Sequence, residues 1–571
     1  MDFAILHVDP AGLTCLFFGF FLLAFGLYSR TIKDLYLSEP LLSTFFGIVL
    51  GPKCLGWLSF DAETWDEGFA EDSARETLAW FLRIVIGVQV LFAASTLPSR
   101  YLLQRPNMIS MAVLLLPVMT LSWLLSSALV KLCLPSFSIT EALIVGAALA
   151  PTDPVLANSV VKGMFAERHV PRHVRELLVA ESGLNDGFGT PFIFVPLLAI
   201  AHNFQVGPTV KALILETMLW NVVIGALLGT GIGYAARKAL KLARNKDTID
   251  RESMLVFSVA LALFTLGVGN LLHTNELLAC FFAGTAVNWT DKIRQEDLYS
   301  HFSEGVELAF DSSVFLVIGA LLPWGTWLDR NFLPPWSLVL LGVMIMLFRR
   351  LPAVLLTWRI IPQLKTWKEA IFVGHFGPIS AGALYYALIA TEELPDDYEG
   401  RNKIIATVTF IVLCSIIVHG TSAPLIMLAS AVPTRFVSKI SDLKALVSTD
   451  APAPNHATTP TETSPLLRPL SNVAAEGLTR AQLDELLTDV DPDVEHVSAR
   501  AYHAMGNPNT HRHRATMSDE EEAGAGAGYE ARNASRGLRQ DGATAADRRG
   551  GNFRFTVYDE GSNIVVCYSD F

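Results

Sequence analysis

Apolar runs of roughly twenty residues recur from residue 11 to about residue 430, and no other feature constrains this chain so tightly. A helix rises about 1.5 Å per residue, so each such run matches the ~30 Å hydrocarbon core of a bilayer. Inside hydrocarbon every backbone N–H and C=O must find its partner within the protein, which leaves helices as the way to use runs of this length. About thirteen runs lie near 11–28, 35–58, 77–97, 107–130, 139–161, 174–200, 212–235, 253–272, 275–288, 306–325, 336–361, 368–390 and 404–430. Only 17% of the 571 residues are charged, against about 25% in soluble domains. The sequence therefore predicts an all-α polytopic membrane protein of about thirteen transmembrane helices spanning residues 1–433.

Loop charge sets the orientation. With the N-terminus outside, the inner loops collect Arg30, Lys33, Arg100, Arg105, Lys162, Arg168, Arg172, Arg175 and the cluster "ARKALKLARNKDTIDR", while the outer loops hold "DAETWDEGFAED" and "TEELPDDYEG". The positive-inside bias places the N-terminus outside and the C-terminal tail in the cytoplasm. The start "MDFAILHVDP" lacks a basic n-region, so no cleaved signal peptide is expected. The six cysteines, at 15, 54, 133, 280, 414 and 567, form no CxxC pair and have no His partners at ligand spacing, which indicates neither a disulfide framework nor a zinc site. A net charge of −12 argues against a nucleic-acid partner.

Two stretches conflict with hydrocarbon. "GAALAPTDPVLANS" (146–159) puts Thr152, Asp153 and two prolines inside the fifth run, and "VAESGLNDGFGTPF" (179–192) puts Glu181, Asn185 and Asp186 into the sixth. Pro151 and Pro154 remove backbone donors and break the helix around Thr152–Asp153. The unwound carbonyls and the Thr hydroxyl become hard-oxygen ligands for a small cation, and the half-helix ends carry opposed partial charges. Asp186, flanked by Gly183 and Gly187, is a desolvated carboxylate with two ways to lose its charge, a proton or a metal cation. One site that holds H+ or Na+ but not both is the minimum machinery for exchange. Plainer readings stand beside these: Asp186 satisfied by neighbouring helices, Asp153 capping the half-helix that starts at Pro154.

Six runs, one linker run and six more would make the two halves inverted copies, the pattern of secondary transporters. The fifth run of the second half, 368–390, carries "GHFGPISAGALYY" with Gly377–Pro378 near its middle, so interruptions fall at corresponding places. "MIMLFRRLPAVLLTW" sinks Arg349 and Arg350 into the eleventh run; a buried guanidinium requires a carboxylate. Glu181, four and five residues before Asn185 and Asp186, is the candidate partner, with Arg350 favoured and Arg349 open. His375 titrates in the neutral range when unperturbed and is a gating candidate, though a His beside a helix break more often packs. Arg83 is placed to snorkel; Asp311, Glu276 and Glu39 sit near run ends and read as interfacial.

At these residues the sequence resembles the monovalent cation/proton antiporter family, in particular its fungal plasma-membrane Na+/H+ branch. "APTDPVLANS" and "AESGLNDGFG" occur in order with "SEPLLSTFFGIVLGPKCLGW" (38–57), "FRRLPAV" and "HFGPISAGALYYA", and the likeness covers roughly residues 10–430. The resemblance implies a thirteen-helix fold with a dimerisation domain, a core domain and two crossing broken helices. It implies that Asp186 binds the ion, that Thr152, Asp153 and Ser182 complete a Na+ site with it, and that Glu181 and Arg350 form a buried pair beside Asn185. It also implies a homodimer, residence in the plasma membrane, and roles in salt tolerance and pH homeostasis. Asn185 stands where electrogenic bacterial relatives carry a second Asp, which suggests one H+ per Na+. Pro151 replaces an expected Ala-like residue and bears on Na+ versus K+ preference.

The expected activity is export of cytosolic Na+, with Li+ and K+ as further candidates, in exchange for H+, without a cofactor. A cation channel with a midplane polar filter is the alternative. An intramembrane hydrolase using Asp153 and Asp186 lacks the flanking pattern of such enzymes, and no enzyme chemistry is assigned. Beyond the bundle, 434–447 ("TRFVSKISDLKALV") reads as a basic amphipathic helix at the inner leaflet. From 448 to 571 the chain turns polar and acidic and reads as a mostly disordered regulatory tail, a candidate for binding regulatory proteins or anionic lipids. "ETSPLL" has the form of a dileucine sorting signal, and "NFRFTVYDEGSNIVVCY" alternates like a hairpin around Glu560–Gly561.

Overall fold

A computed structural model describes residues 10–34, 38–56, 69–153, 170–290, 297–329, 333–395, 398, 400–422, 553–559 and 564–570. Every one of the apolar runs overlies helix. In chain order these are α1 (Pro10–Asp34), α2 (Glu39–Leu50), α3 (Phe69–Thr96), α4 (Arg105–Cys133), α5 (Ile139–Leu149), α6 (Arg172–Ala201), α7 (Val206–Asn245), α8 (Arg251–Leu271), α9 (Glu276–Val287), α10 (Asp297–Ala320), α11 (Pro335–Ile360), α12 in two halves, α12a (Trp367–His375) and α12b (Ala381–Glu393), and α13 (Arg401–Ser422). Among the described residues eight helices are long and apolar enough to cross a membrane, and α2, α5 and α9 are shorter apolar helices. The chain divides into two compact units, Met1–Val447 and Ser448–Phe571. In the second, β1 (Phe553–Asp559) pairs antiparallel with β2 (Ile564–Asp570), Asp559 opposite Ile564, so the strand pair brackets Glu560–Gly561. The continuation of the fifth run past Asp153, the segment 434–447 and the dileucine-like stretch lie outside the described residues.

Local chemistry explains the ends. Ser138 and Glu141 form a reciprocal capping box that starts α5, and Pro151 stops it. Thr366 accepts from the Glu369 amide at 3.2 Å to start α12a. α7 runs for 40 residues, well beyond the apolar window read from 212 to 235. Its basic end, "ARKALKLARN", continues the helix past the point where hydropathy falls. The apolar window registers hydrocarbon, whereas the helix persists for as long as propensity and solvation of Lys and Arg allow.

The helices sort into two packed groups. In one, α7, α8 and α3 pack around α9, and α2 packs on α10. Backbones approach closely through small residues: a Cβ on Gly229 would meet the Ala279 carbonyl oxygen at 2.0 Å, and one on Gly47 would meet that of Leu316 at 2.1 Å. In the other, α4 packs on α5 and α11, and α5 packs on α6 and α12b, while Ile379 in the gap of α12 donates its amide to Ser415 of α13 at 2.8 Å. The groups meet where α6 and α12b face α3 and α9.

Two charged residues read as interfacial sit at this seam. Arg83 of α3 does not snorkel: it pairs with Glu276 of α9 at 2.9 Å and lies over the Trp80 ring at 4.5 Å. Glu276 sits at a span end but faces protein. Glu39 and Asp311 are likewise engaged, Glu39 accepting from Ser312 at 2.6 Å and Asp311 from Gln89.

Candidate functional site

The two interruptions touch. α5 ends at Leu149, and the Asp153 amide donates to the Pro378 carbonyl in the gap of α12 at 2.9 Å. Ser380, from the same gap, donates its hydroxyl to the Asp153 carboxylate. The gap of α12 thereby supplies a partner for a backbone amide that lies beyond the end of α5.

Arg349 neutralises the carbonyl ends. One terminal nitrogen donates to Leu149 O and to Pro151 O (3.3 Å), the other to Gly377 O. A guanidinium at the C-terminal ends of two half-helices meets both negative dipole ends at once. Arg350 faces the other way and closes both terminal nitrogens on Glu181 Oε1 and Oε2, each at 2.7 Å, with its Nε donating to Val373 O at 3.1 Å. The partner left open in the sequence is therefore Arg350. All three charged side chains are buried, and a fork-to-fork pair is the geometry that a buried Arg–carboxylate contact needs.

A polar wall runs from α6 to the gap of α5. Asn185 Nδ2 donates to Thr152 Oγ1 at 2.7 Å, and Thr152 Oγ1 lies 3.2 Å from Ser182 Oγ. Asp186 follows on the same helix with 1% of its surface exposed, and neither carboxylate oxygen has a hydrogen-bond partner among the described residues. Asn185 Oδ1 is also unpaired there. The Asp153 carboxylate lies within electrostatic reach of Asp186. Thr152, Asp153, Ser182, Asn185 and Asp186 thus share one buried site, with Glu181 and Arg350 bordering it and Arg349 across the gaps.

His375 stands apart from this set. It is the last residue of α12a; its Nε2 lies 3.1 Å from Ser422 Oγ, and its ring faces His419 at 5.4 Å. Its carbonyl is 3.0 Å from His419 Nε2. Three residues of the site escaped the sequence reading. Ser380 holds Asp153. The Tyr386 hydroxyl donates to the Asp186 carbonyl. Gly382 lets the backbone of α12b approach so closely that a Cβ there would lie 2.8 Å from Asp186 Oδ1. All three lie in "GPISAGALYY", whose Gly-Pro pair drew attention first; the signal for the others was their place just after a helix break.

A buried carboxylate without a hydrogen bond is expensive when ionised, and it is neutralised by a proton or by a cation that brings its own charge. The hydroxyls of Thr152 and Ser182 and the carboxylate of Asp153 are hard-oxygen donors suited to an alkali ion, with none of the soft ligands that select zinc or copper.

A short helix that ends at Leu149 and a helix interrupted between His375 and Ala381, meeting at a buried acidic site, are features of secondary transporters. The chain belongs to the sodium/hydrogen exchanger family, whose transmembrane-domain model matches residues 19–429. It is 36% identical to "Na(+)/H(+) antiporter 2" of Zygosaccharomyces rouxii over 76% of this chain and 55% of that one. It is 30% identical to "Na(+)/H(+) antiporter" of Schizosaccharomyces pombe over 76% of this chain and 94% of that one. The chain thus spans about half the length of the Zygosaccharomyces relative. Its fold is similar to that of the sodium proton antiporter MjNhaP1 from Methanocaldococcus jannaschii at pH 8, with a TM-score of 0.53 and 18% identity over 74% of this chain and 100% of that one.

Proposed function

We propose that the protein is a secondary antiporter that exports cytosolic Na+ in exchange for H+ by alternating access, with Asp186 holding cation and proton in turn. The observation that carries this reading is the buried Asp186 carboxylate, which has no hydrogen-bond partner among the described residues while Glu181, five residues earlier, is fully paired. Only the first has charge left to give to a moving ion.

Na+ would be held by the Asp186 carboxylate with oxygens of Thr152, Ser182 and Asp153, and Asn185 keeps Thr152 turned toward the site. Arrival of a proton at Asp186 removes the charge that holds the cation, so the two exclude each other. With one alternating carboxylate the exchange is one for one. Li+ and K+ are further substrates of the same oxygen set. Homologues named as Na+/H+ antiporters in two yeasts support this reading.

The same proposal places the protein in the plasma membrane as a homodimer. Its N-terminus is outside and its tail is cytoplasmic, where it meets regulatory proteins or anionic lipid, as loop charge and the resemblance suggest. The test is direct. The purified full chain is reconstituted into acid-loaded proteoliposomes, and internal pH is recorded on adding Na+, Li+ or K+, with Asp186→Asn alongside. Internal alkalinisation that vanishes in the mutant supports exchange at Asp186. Conductive Na+ flux without proton movement would instead establish a channel.

A further inference from the structure

The site described so far lies within one helix group, on α5, α6, α11 and α12. The other group packs along α6 and α12b, and at the start of α9 two consecutive residues hydrogen-bond to both of these helices. Asn275 reaches α6: its Nδ2 donates to Gly187 O at 2.6 Å and to Thr190 Oγ1 at 2.7 Å. Glu276 reaches α12b: the Tyr385 hydroxyl donates to Glu276 Oε1 at 3.1 Å, and Arg83 of α3 pairs with the same oxygen at 2.9 Å.

The Asn275 contact is specified on both sides. Asn275 Oδ1 accepts the Leu278 amide at 2.9 Å as the N-cap of α9, so its NH2 group is turned toward α6 and both hydrogens are used there. On α6, Pro191 has no amide to return to the Gly187 carbonyl four residues back, and that carbonyl is the one Asn275 takes. The Thr190 hydroxyl, 3.1 Å from Gly187 O, closes a three-membered set. The backbones are in contact at this point, since a Cβ on Gly187 would lie 2.7 Å from the Leu278 Cα.

Position gives the contact its meaning. Gly187 and Thr190 follow Asp186 along α6, toward the end of the helix that loop charge places outside, whereas Glu181 and Arg350 lie on the inner side. The Asn275 and Glu276 contacts bind one helix group to the other on the outer side of the ion site. Alternating access moves the groups relative to each other, so bonds that join them belong to one end state.

We propose that Asn275 and Glu276 form the outer gate of the transport cycle: their bonds to Gly187, Thr190 and Tyr385 hold the outer side shut and must break before Asp186 is exposed to the exterior. The gate rests on the antiport reading. It assigns Asn275, Glu276, Thr190 and Tyr385 to movement and leaves ion coordination to the residues already described.

The test joins the gate covalently. Asn275→Cys and Thr190→Cys are combined in the full chain with the six native cysteines replaced, and Na+-driven proton flux is measured in proteoliposomes before oxidation, after oxidation and after reduction. The expected result is exchange in the reduced protein, a loss of at least about tenfold on cross-linking, and recovery with reductant. Cross-linked protein that exchanges as fast as reduced protein overturns the gate but leaves antiport standing; wild-type protein that moves no protons overturns the antiport reading itself. Failure of the cysteines to cross-link also overturns the gate, because the contact would not be populated.

Asn275→Asp serves as the second variant. It keeps the cap on Leu278 and removes both donors, so the outer side opens more readily. In oriented vesicles the half-saturating Na+ concentration should fall on the outside and rise on the inside, each by about threefold or more, because a shifted end-state population acts oppositely on the two faces. Equal shifts on both faces, as a purely structural defect gives, overturn the proposal.

Discussion

Arg350 holds the Glu181 carboxylate with both terminal nitrogens, each at 2.7 Å, five residues before the Asp186 carboxylate that has no hydrogen bond among the described residues. Two acids on one helix, about 7.5 Å apart along its axis, have opposite environments. The paired one is held by its guanidinium, and the bare one is the carboxylate to which we assign the ion.

Removing one partner of the pair should be destabilising. Arg350→Ala is expected to cost about 3–5 kcal/mol, because Glu181 is left buried without its cation. Thermal unfolding of the purified variants reads this directly. Arg350→Lys should recover only part of the loss, since an ammonium reproduces neither the two-point contact nor the bond from Nε to Val373 O. A lysine variant as stable as wild type would show that charge alone, without the fork, sustains the contact.

Asp186→Asn should leave thermal stability at or above that of wild type, because the substitution removes an unpaired buried acid. The same variant should lose the stabilisation that saturating Na+ confers, about 2.7 kcal/mol at a hundredfold excess over the dissociation constant. Na+ that still protects the variant would place the cation elsewhere.

On the proposed mechanism, proton and cation compete for one carboxylate, which fixes the sign of the expected pH effect. Where the proton occupies the site, the apparent half-saturating Na+ concentration should rise about tenfold for each unit the pH falls. Where the site is already deprotonated it should be flat, and export should fade as the outside turns alkaline and the driving gradient is lost. Initial rates over a grid of Na+ and pH measure this; a Na+ dependence indifferent to pH throughout would rule out a shared site.

Gly382→Ala places a methyl 2.8 Å from Asp186 Oδ1 before any adjustment. The carboxylate must turn away or the helix must shift, and either narrows the space for an ion. The half-saturating concentration for Na+ should rise about tenfold, equivalent to about 1.4 kcal/mol, with the largest loss for K+ and the smallest for Li+. A variant that keeps all three affinities would mean that the ion sits away from α12b.

Ser415→Ala removes the acceptor of the Ile379 amide, and a buried donor left unpaired costs about 1–3 kcal/mol. A fall in thermal midpoint with Ser415→Thr restoring it would tie α13 to the integrity of the break in α12.

Much of this was legible in the sequence because hydrocarbon tolerates so little. The apolar runs gave the helices, and the residues that violate them, Thr152, Asp153, Glu181, Asn185 and Asp186, gave the buried cluster. Arg350 was favoured as the partner of Glu181, but spacing alone left Arg349 open, since adjacent residues face about 100° apart on a helix and the spacing does not set the rotation of α11. Arg83 and Glu276 were misplaced because a charge near a span end looks the same whether it faces lipid headgroups or another helix. Their contact joins positions 193 residues apart in the chain. Asn275 was invisible for a similar reason: a helix cap and a contact to a proline-released carbonyl use the same side chain.

The bond from the Asp153 amide to the Pro378 carbonyl has a last consequence. It fastens the two helix gaps to each other at one backbone hydrogen bond of 2.9 Å. On the antiport reading, the oxygens proposed to hold the ion would travel together, and the work of opening and closing would fall to the seam with the neighbouring helices. On that reading, preference for one alkali ion over another and the mechanics of carrying it would be lodged in different residues. A lineage of such proteins would be free to retune its cargo by small changes among those oxygens while inheriting the same movement.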